Sequence, residues 1–208
     1  MKVRILFLIC FLSITCLLNA ADKPVIQIHT DNSSLIFRVA DNGRLYQSYL
    51  GKKLNHEADI SHLPQGTEAY ITHGMEDYFE PAIHILHNDG NPSLLLKYVS
   101  HETKAVSQGV NETIITLGDD KYPVTVKLHY VTYPAEDIIK TYTEISHKEK
   151  KPVVLHQYAS SMLHLNRAKY YLTEFSGDWA HEANISDQPL EFGKKVLDTK
   201  LGARANMF

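Results

Sequence analysis

Pro123-Val124-Thr125-Val126-Lys127-Leu128-His129-Tyr130-Val131-Thr132-Tyr133 is the stretch on which the fold turns. Val124, Val126, Leu128 and Tyr130 fall on one side of an extended chain, and Thr125, Lys127 and His129 on the other. Successive side chains of a strand point to opposite faces, so this is a strand with one buried face and one wet face, the pattern of an antiparallel sheet. Downstream, Ile139, Thr141, Thr143 and Ile145 repeat the alternation after the turn residues Tyr133-Pro134-Ala135. A charged turn at 148–152 then leads into a long strand expected over 153–165.

Upstream, short strands are expected over 26–29, 35–39 and 45–49, punctuated by Asp31-Asn32 and Asp41-Asn42-Gly43. Strands over 83–86, 94–98 and 112–117 continue the series, and strands over 170–175, 179–185 and 190–197 close it. No segment carries a sustained helical period. Many strands separated by Gly, Asn, Asp and Pro turns make an all-β, antiparallel sandwich or barrel. The segment 51–78 lacks alternation and reads as a long loop, which in a compact β domain is usually functional or disordered.

Composition narrows the function. The 208 residues carry 21 Lys+Arg against 24 Asp+Glu, a net charge of -3, so no basic surface offers the counterion release that drives nucleic-acid binding. A 44% hydrophobic content fits a globular chain rather than a disordered one. Residues 1–21 read as a secretory signal peptide: Lys2 and Arg4 form a charged start, 5–18 an apolar run, and Leu18-Asn19-Ala20-Ala21 a small-residue cleavage site. The expected location is therefore periplasmic or extracellular, with no membrane attachment after cleavage, and residues 22–208 form the remaining domain. Cleavage would remove Cys10 and Cys16, leaving no thiol or disulfide.

The chain has 12 histidines, none at the helical i, i+4 spacing of a zinc site, and they read as surface residues scattered over strands. No metal or cofactor is expected. The adjacent acid pairs Glu76-Asp77, Asp119-Asp120 and Glu136-Asp137 each send their side chains to opposite faces if extended. None supplies the two facing carboxylates of glycosidase chemistry, and the last two read as turn and surface residues. No nucleophile elbow or phosphate-binding glycine loop is present. Trp179 is the single tryptophan, within Phe175-Ser176-Gly177-Asp178-Trp179-Ala180-His181-Glu182. Gly177 and Asp178 argue for a bend that turns the indole outward, where it would suit the apolar face of a sugar ring. A core tryptophan beside a bulge is the equal alternative.

Five segments carry a family resemblance: 42–51 (NGRLYQSYLG), 74–82 (GMEDYFEPA), 122–147 (YPVTVKLHYVTYPAEDIIKTYTEISH), 175–182 (FSGDWAHE) and 195–208 (KVLDTKLGARANMF). In this order they resemble the N-terminal domain of glycoside hydrolase family 36, the α-galactosidases. The resemblance implies a β-supersandwich of the galactose-mutarotase-like type, which in the family normally continues past residue 208, so the domain is expected to be incomplete at its C-terminal end. It implies a following (β/α)8 barrel that holds the two catalytic aspartates of a retaining hydrolysis of terminal α-D-galactosides. No catalytic residue is therefore expected in this chain. Trp179 is similar to a family tryptophan in a Gly-x-Trp setting that reaches the substrate pocket. Asp77 is similar to the acid of an Asp-aromatic-Arg segment, although Tyr78, Phe79 and Glu80 follow it and the arginine is missing. The partners implied are α-galactoside sugars and a homo-oligomer, a tetramer in many members. Two rivals accompany this reading: a stand-alone carbohydrate-binding β-sandwich, and a mutarotase-like epimerase using His129 and Asp77.

Overall fold

The computed structural model describes residues 23–75, 79–165, 169–178 and 181–198. In chain order the described elements are β1 (Val25–His29), β2 (Ser33–Val39), β3 (Leu45–Lys52), α1 (Glu57–Ser61), β4 (Thr67–Glu68), β5 (Ile83–Leu86), β6 (Leu96–Ser107), β7 (Val110–Asp119), β8 (Val124–Tyr133), β9 (Ile138–His147), β10 (Val154–Tyr158), β11 (Tyr171–Asp178) and β12 (His181–Pro189). They divide between two compact units, residues 1–163 and 164–208.

The first unit is an antiparallel sandwich. One sheet has the order β1-β2-β3-β4, a second the order β6-β7-β8-β9, and β5 pairs with β10. The alternation in β8 sets the core: Val124, Val126, Leu128 and Tyr130 are buried together with Ile115 and Leu117 of β7. The facing layer supplies Ile26, Ile28, Leu35, Phe37 and Leu45, while Ile83 and Ile85 of β5 complete the same cluster. Phe37 and Tyr130 join the sheets, with ring centroids 5.1 Å apart. The register of β8 against β9 pairs His129 with Tyr142 and Lys127 with Glu144, so the wet face of β8 continues as a polar row.

Three expectations need correction. The 51–78 segment is not wholly loop: β3 runs on to Lys52, α1 follows, and β4 pairs back on β3. Ile60, Ala69, Tyr70 and Ile71 anchor the segment in the interior. The strand expected over 153–165 shortens to β10, which carries a register shift between Leu155 and Gln157. Beyond it, Ala159 and Met162 pack against the core from irregular backbone. No strand forms over 190–197, among the described residues. In the opposite sense β6 reaches Ser107, far past its apolar start, because β7 templates it through backbone bonds that need no side-chain alternation.

The second unit contains the β11–β12 hairpin. Its register runs from Tyr171 opposite Pro189 to Asp178 opposite His181, with an irregularity between Ser176 and Asp178 where the sequence anticipates a bend. Thr173 donates to Asp187 at 2.9 Å and Gln188 donates to Glu174 at 2.9 Å across the two strands.

Candidate functional site

Pairing of β3 with β4 sets Tyr46 opposite Glu68 and Gln47 opposite Thr67. The turn before β4 is closed by Gly66 at φ +83°, a conformation that favours glycine. Glu68 is buried and clasped by Arg44, whose Nε donates to Oε1 at 2.8 Å while Nη2 contacts Oε2. Such a forked pair fixes the carboxylate in place. Around it lies a cavity of about 220 Å³ lined by Tyr46, Gly66, Thr67, Glu68, Ile71 and Phe79. Phe79 is 66% exposed. Two aromatic rings beside a fixed carboxylate are the groups that take the apolar face and the hydroxyls of a sugar. The cavity is smaller than the ~300 Å³ at which small-molecule pockets usually begin. Its size suits part of a wall rather than a complete site.

Both residues singled out from the sequence, Asp77 and Trp179, lie outside the described residues. Asp77 belongs to the stretch 76–78 that leads into Phe79, and Trp179 falls between the paired residues Asp178 and His181.

The histidines are not scattered. His129, on the outer face of β8, is buried and hydrogen-bonds through Nδ1 to Glu112 at 2.9 Å. Tyr142 donates to the same Glu112 oxygen at 2.6 Å, its ring stacked on His129 with centroids 4.2 Å apart. The Tyr142 bond, then the His129 bond, with Lys104 adding to them, outweigh burial and hold Glu112 down at about 2. His129 Nε2 is buried without a hydrogen-bond partner, 3.7 Å from Glu144. This imidazole is itself buried against Tyr142 and braces Glu112, which is not how the epimerase reading would use it.

His87 is also buried. Its Nδ1 meets Glu149 at 2.7 Å, its Nε2 meets the Ser93 carbonyl at 3.1 Å, and its ring stacks on Tyr122 at 3.5 Å. Burial pushes Glu149 up, but the hydrogen bonds from His87 and Asn88 outweigh it and leave the carboxyl below its ordinary value. A third group stacks His73 on His84 at 3.7 Å and His84 against His156 at 4.8 Å. Among the described residues, no group of three His, Cys, Asp or Glu is arranged to hold a metal ion. Asp119, Asp120 and Asp137, of the last two acid pairs, behave as turn and surface residues. Asp119 accepts from the backbone N–H of Leu95, Lys121 and Tyr122, Asp120 pairs with exposed Lys97, and Asp137 accepts from Thr30 and Ser33. Sequence reading missed Glu68 and Glu112. The one available signal was an acid inside an otherwise apolar or β-branched run, as in Asn111-Glu112-Thr113-Ile114.

A model of the Glycosyl hydrolase family 36 N-terminal domain matches residues 43–207. The chain belongs to this family. Two curated relatives, Probable alpha-galactosidase G of Aspergillus terreus and Alpha-galactosidase C of Emericella nidulans, are each 23% identical over 147 residues. Each alignment covers 64% of this chain and 20% of the relative. Solved structures share the fold. The alpha-galactosidase from Lactobacillus brevis superposes with a TM-score of 0.70 at 21% identity, over 81% of this chain and 28% of that one. The family 36 alpha-galactosidase AgaA from Geobacillus stearothermophilus superposes with a TM-score of 0.73 at 19% identity, over 82% and 28%. The family 36 domain described here thus spans about a fifth of the curated relatives' length.

Proposed function

We propose that this chain is the N-terminal, non-catalytic sandwich of an exported α-galactosidase, which hydrolyses terminal α-D-galactosides with retention, and that it helps frame the substrate pocket and the oligomer. The observation that carries the reading is the family match over residues 43–207 on a sandwich that corresponds to 28% of a solved α-galactosidase chain. Relatives from Geobacillus stearothermophilus have been solved with raffinose and with stachyose, which supports oligosaccharides of this type as the substrate class. The chemistry of this chain favours a framing role. Its buried carboxylates Glu68, Glu112 and the Glu149 side chain are each committed to an internal donor, Arg44, Tyr142 and His87. A carboxylate so held cannot readily serve as nucleophile or proton donor. The wall of Tyr46, Phe79 and Glu68 is the surface offered to the sugar.

The test is an aryl α-galactoside assay on the purified chain beside the full-length protein. Turnover is expected only from the full-length protein, and turnover by the chain alone would overturn the non-catalytic reading. Export is tested separately by sequencing the N-terminus of the secreted protein, with Ala21 or Asp22 expected as the first residue. Trp179 is the chain's single tryptophan, so its emission during a raffinose titration reports directly on that position. A saturable change in the isolated chain would move the reading to a stand-alone carbohydrate-binding module.

A further inference from the structure

Three imidazoles from three separate segments meet beside the β5–β10 pair. His84 lies on β5, on the side opposite the core residues Ile83 and Ile85. His156 sits at the register shift of β10, and His73 belongs to the turn that runs against β5. The rings of His73 and His84 are stacked at 3.7 Å with planes 21° apart, and His156 lies 4.8 Å from His84 at 36°. Adjacent rings of this stack cannot both carry charge without strong repulsion at such distances. Backbone bonds hold the same elements: β10 pairs with β5 over four residue pairs, Ala159 N–H donates to the Ala82 carbonyl at 2.7 Å, and Gln157 donates to the Pro81 carbonyl at 2.8 Å. His73 N–H donates to the Ile83 carbonyl at 3.0 Å, and β10 is a five-residue strand with Val154, Leu155 and Tyr158 exposed. Among the described residues, the titratable and charged groups around His84 are His73, His156 and, through Gln157 opposite it, Glu80, which accepts from Gln157 at 3.2 Å.

We infer that the His73–His84–His156 stack is a proton-operated clasp: protonation separates the rings and loosens β10 and the 73–75 turn against β5. Burial, then the neighbouring imidazoles His73 and His156, hold the His84 ring below its ordinary value. The sign follows from that direction. A ring that resists protonation in the fold gives stability that is complete above the ordinary imidazole value of ~6.5 and is lost as pH falls below it. The clasp therefore holds in neutral surroundings and loosens in mildly acidic ones.

The experiment follows backbone amide exchange of residues 154–158 at about pH 7.5 and about pH 5, corrected for intrinsic exchange and run with a chelator to exclude metal. Imidazole NMR titration of the same protein runs alongside. Exchange in β10 is expected to rise roughly tenfold at the lower pH, while the β7–β8 amides stay protected. The His84 curve should be shifted to lower pH and broadened by coupling to its two neighbours. His84→Gln should remove the pH dependence of β10 exchange. His156→Gln, on an exposed position outside the core, should weaken it and guards against misfolding of the first variant. Equal β10 protection at both pH values, or a His84 curve of ordinary midpoint and single-site shape, would overturn the clasp.

Discussion

Replacing Glu112 by Gln removes one negative charge and keeps the shape of the side chain. In the fold, one carboxylate oxygen of Glu112 accepts from Tyr142 at 2.6 Å and from His129 at 2.9 Å, and the other faces Lys104 at 3.0 Å. Together they draw the acid from 4.5 to about 2. Each pH unit is worth ~1.4 kcal/mol, which sets a ceiling near ~3 kcal/mol. Water reduces it, since Tyr142 is 39% exposed and the Lys104 side chain 53%. The expected cost of Glu112→Gln at neutral pH is therefore about 1–2 kcal/mol. For a chain of this size that lowers the melting temperature by roughly 3–6 °C.

The pH dependence is the sharper part. A carboxyl depressed in the fold stabilises it above its ordinary value near 4.5, and that contribution fades as pH falls toward about 2. Melting curves of the wild type and Glu112→Gln should be separated at neutral pH and converge on acidification through this window. Tyr142→Phe, alone and combined with Glu112→Gln, should return a coupling of about 1 kcal/mol, because the phenol is the strongest of the three donors. A gap that persists unchanged at pH 2–3, or no gap at neutral pH, would refute the claim that the carboxylate charge holds these strands together.

Other outcomes follow from the same structure. Gly66→Ala should prevent folding or cost more than ~2 kcal/mol, because φ is +83° and an added Cβ would fall 1.9 Å from the Gln47 carbonyl oxygen; chemical denaturation measures it. Tyr70→Phe should cost about 1 kcal/mol by urea unfolding, since the buried phenol donates to the Ala159 carbonyl at 2.8 Å and the phenylalanine leaves that acceptor empty. Phe37→Ala should cost about 3–5 kcal/mol, as the ring is fully buried against Tyr130 between the two sheets. On the proposed α-galactosidase reading, Trp179→Ala in the full-length protein should lower kcat/KM by ~10-fold, the loss expected if the indole stacks on the sugar; unchanged kinetics in a folded variant would refute that contact.

Local patterning determined much of this protein. The alternation of Val124, Val126, Leu128 and Tyr130 assigned the inner face of β8, and the same residues are buried in the core. Turn chemistry at Asp41-Asn42-Gly43 and the bend before Asp178 were legible because short polar residues and glycine act through their own backbone. Element lengths were less so. β6 outran its apolar start because a neighbouring strand supplied its partners, and the 153–165 run ended early because its apolar residues could reach the core without pairing.

Which polar groups meet was decided only by tertiary structure. Glu112, His129 and Tyr142 lie on three successive strands, and only the β7–β8–β9 register brings them together on one face. His73, His84 and His156 come from three separate segments and share nothing local in sequence, yet a turn, a strand and a bulge stack them. Arg44 and Glu68 form their clasp because β4 folds back on β3. A period of two states which face a side chain takes, since that depends on its own backbone alone. Its partner depends on strand order and register, which the summed burial of both sheets selects.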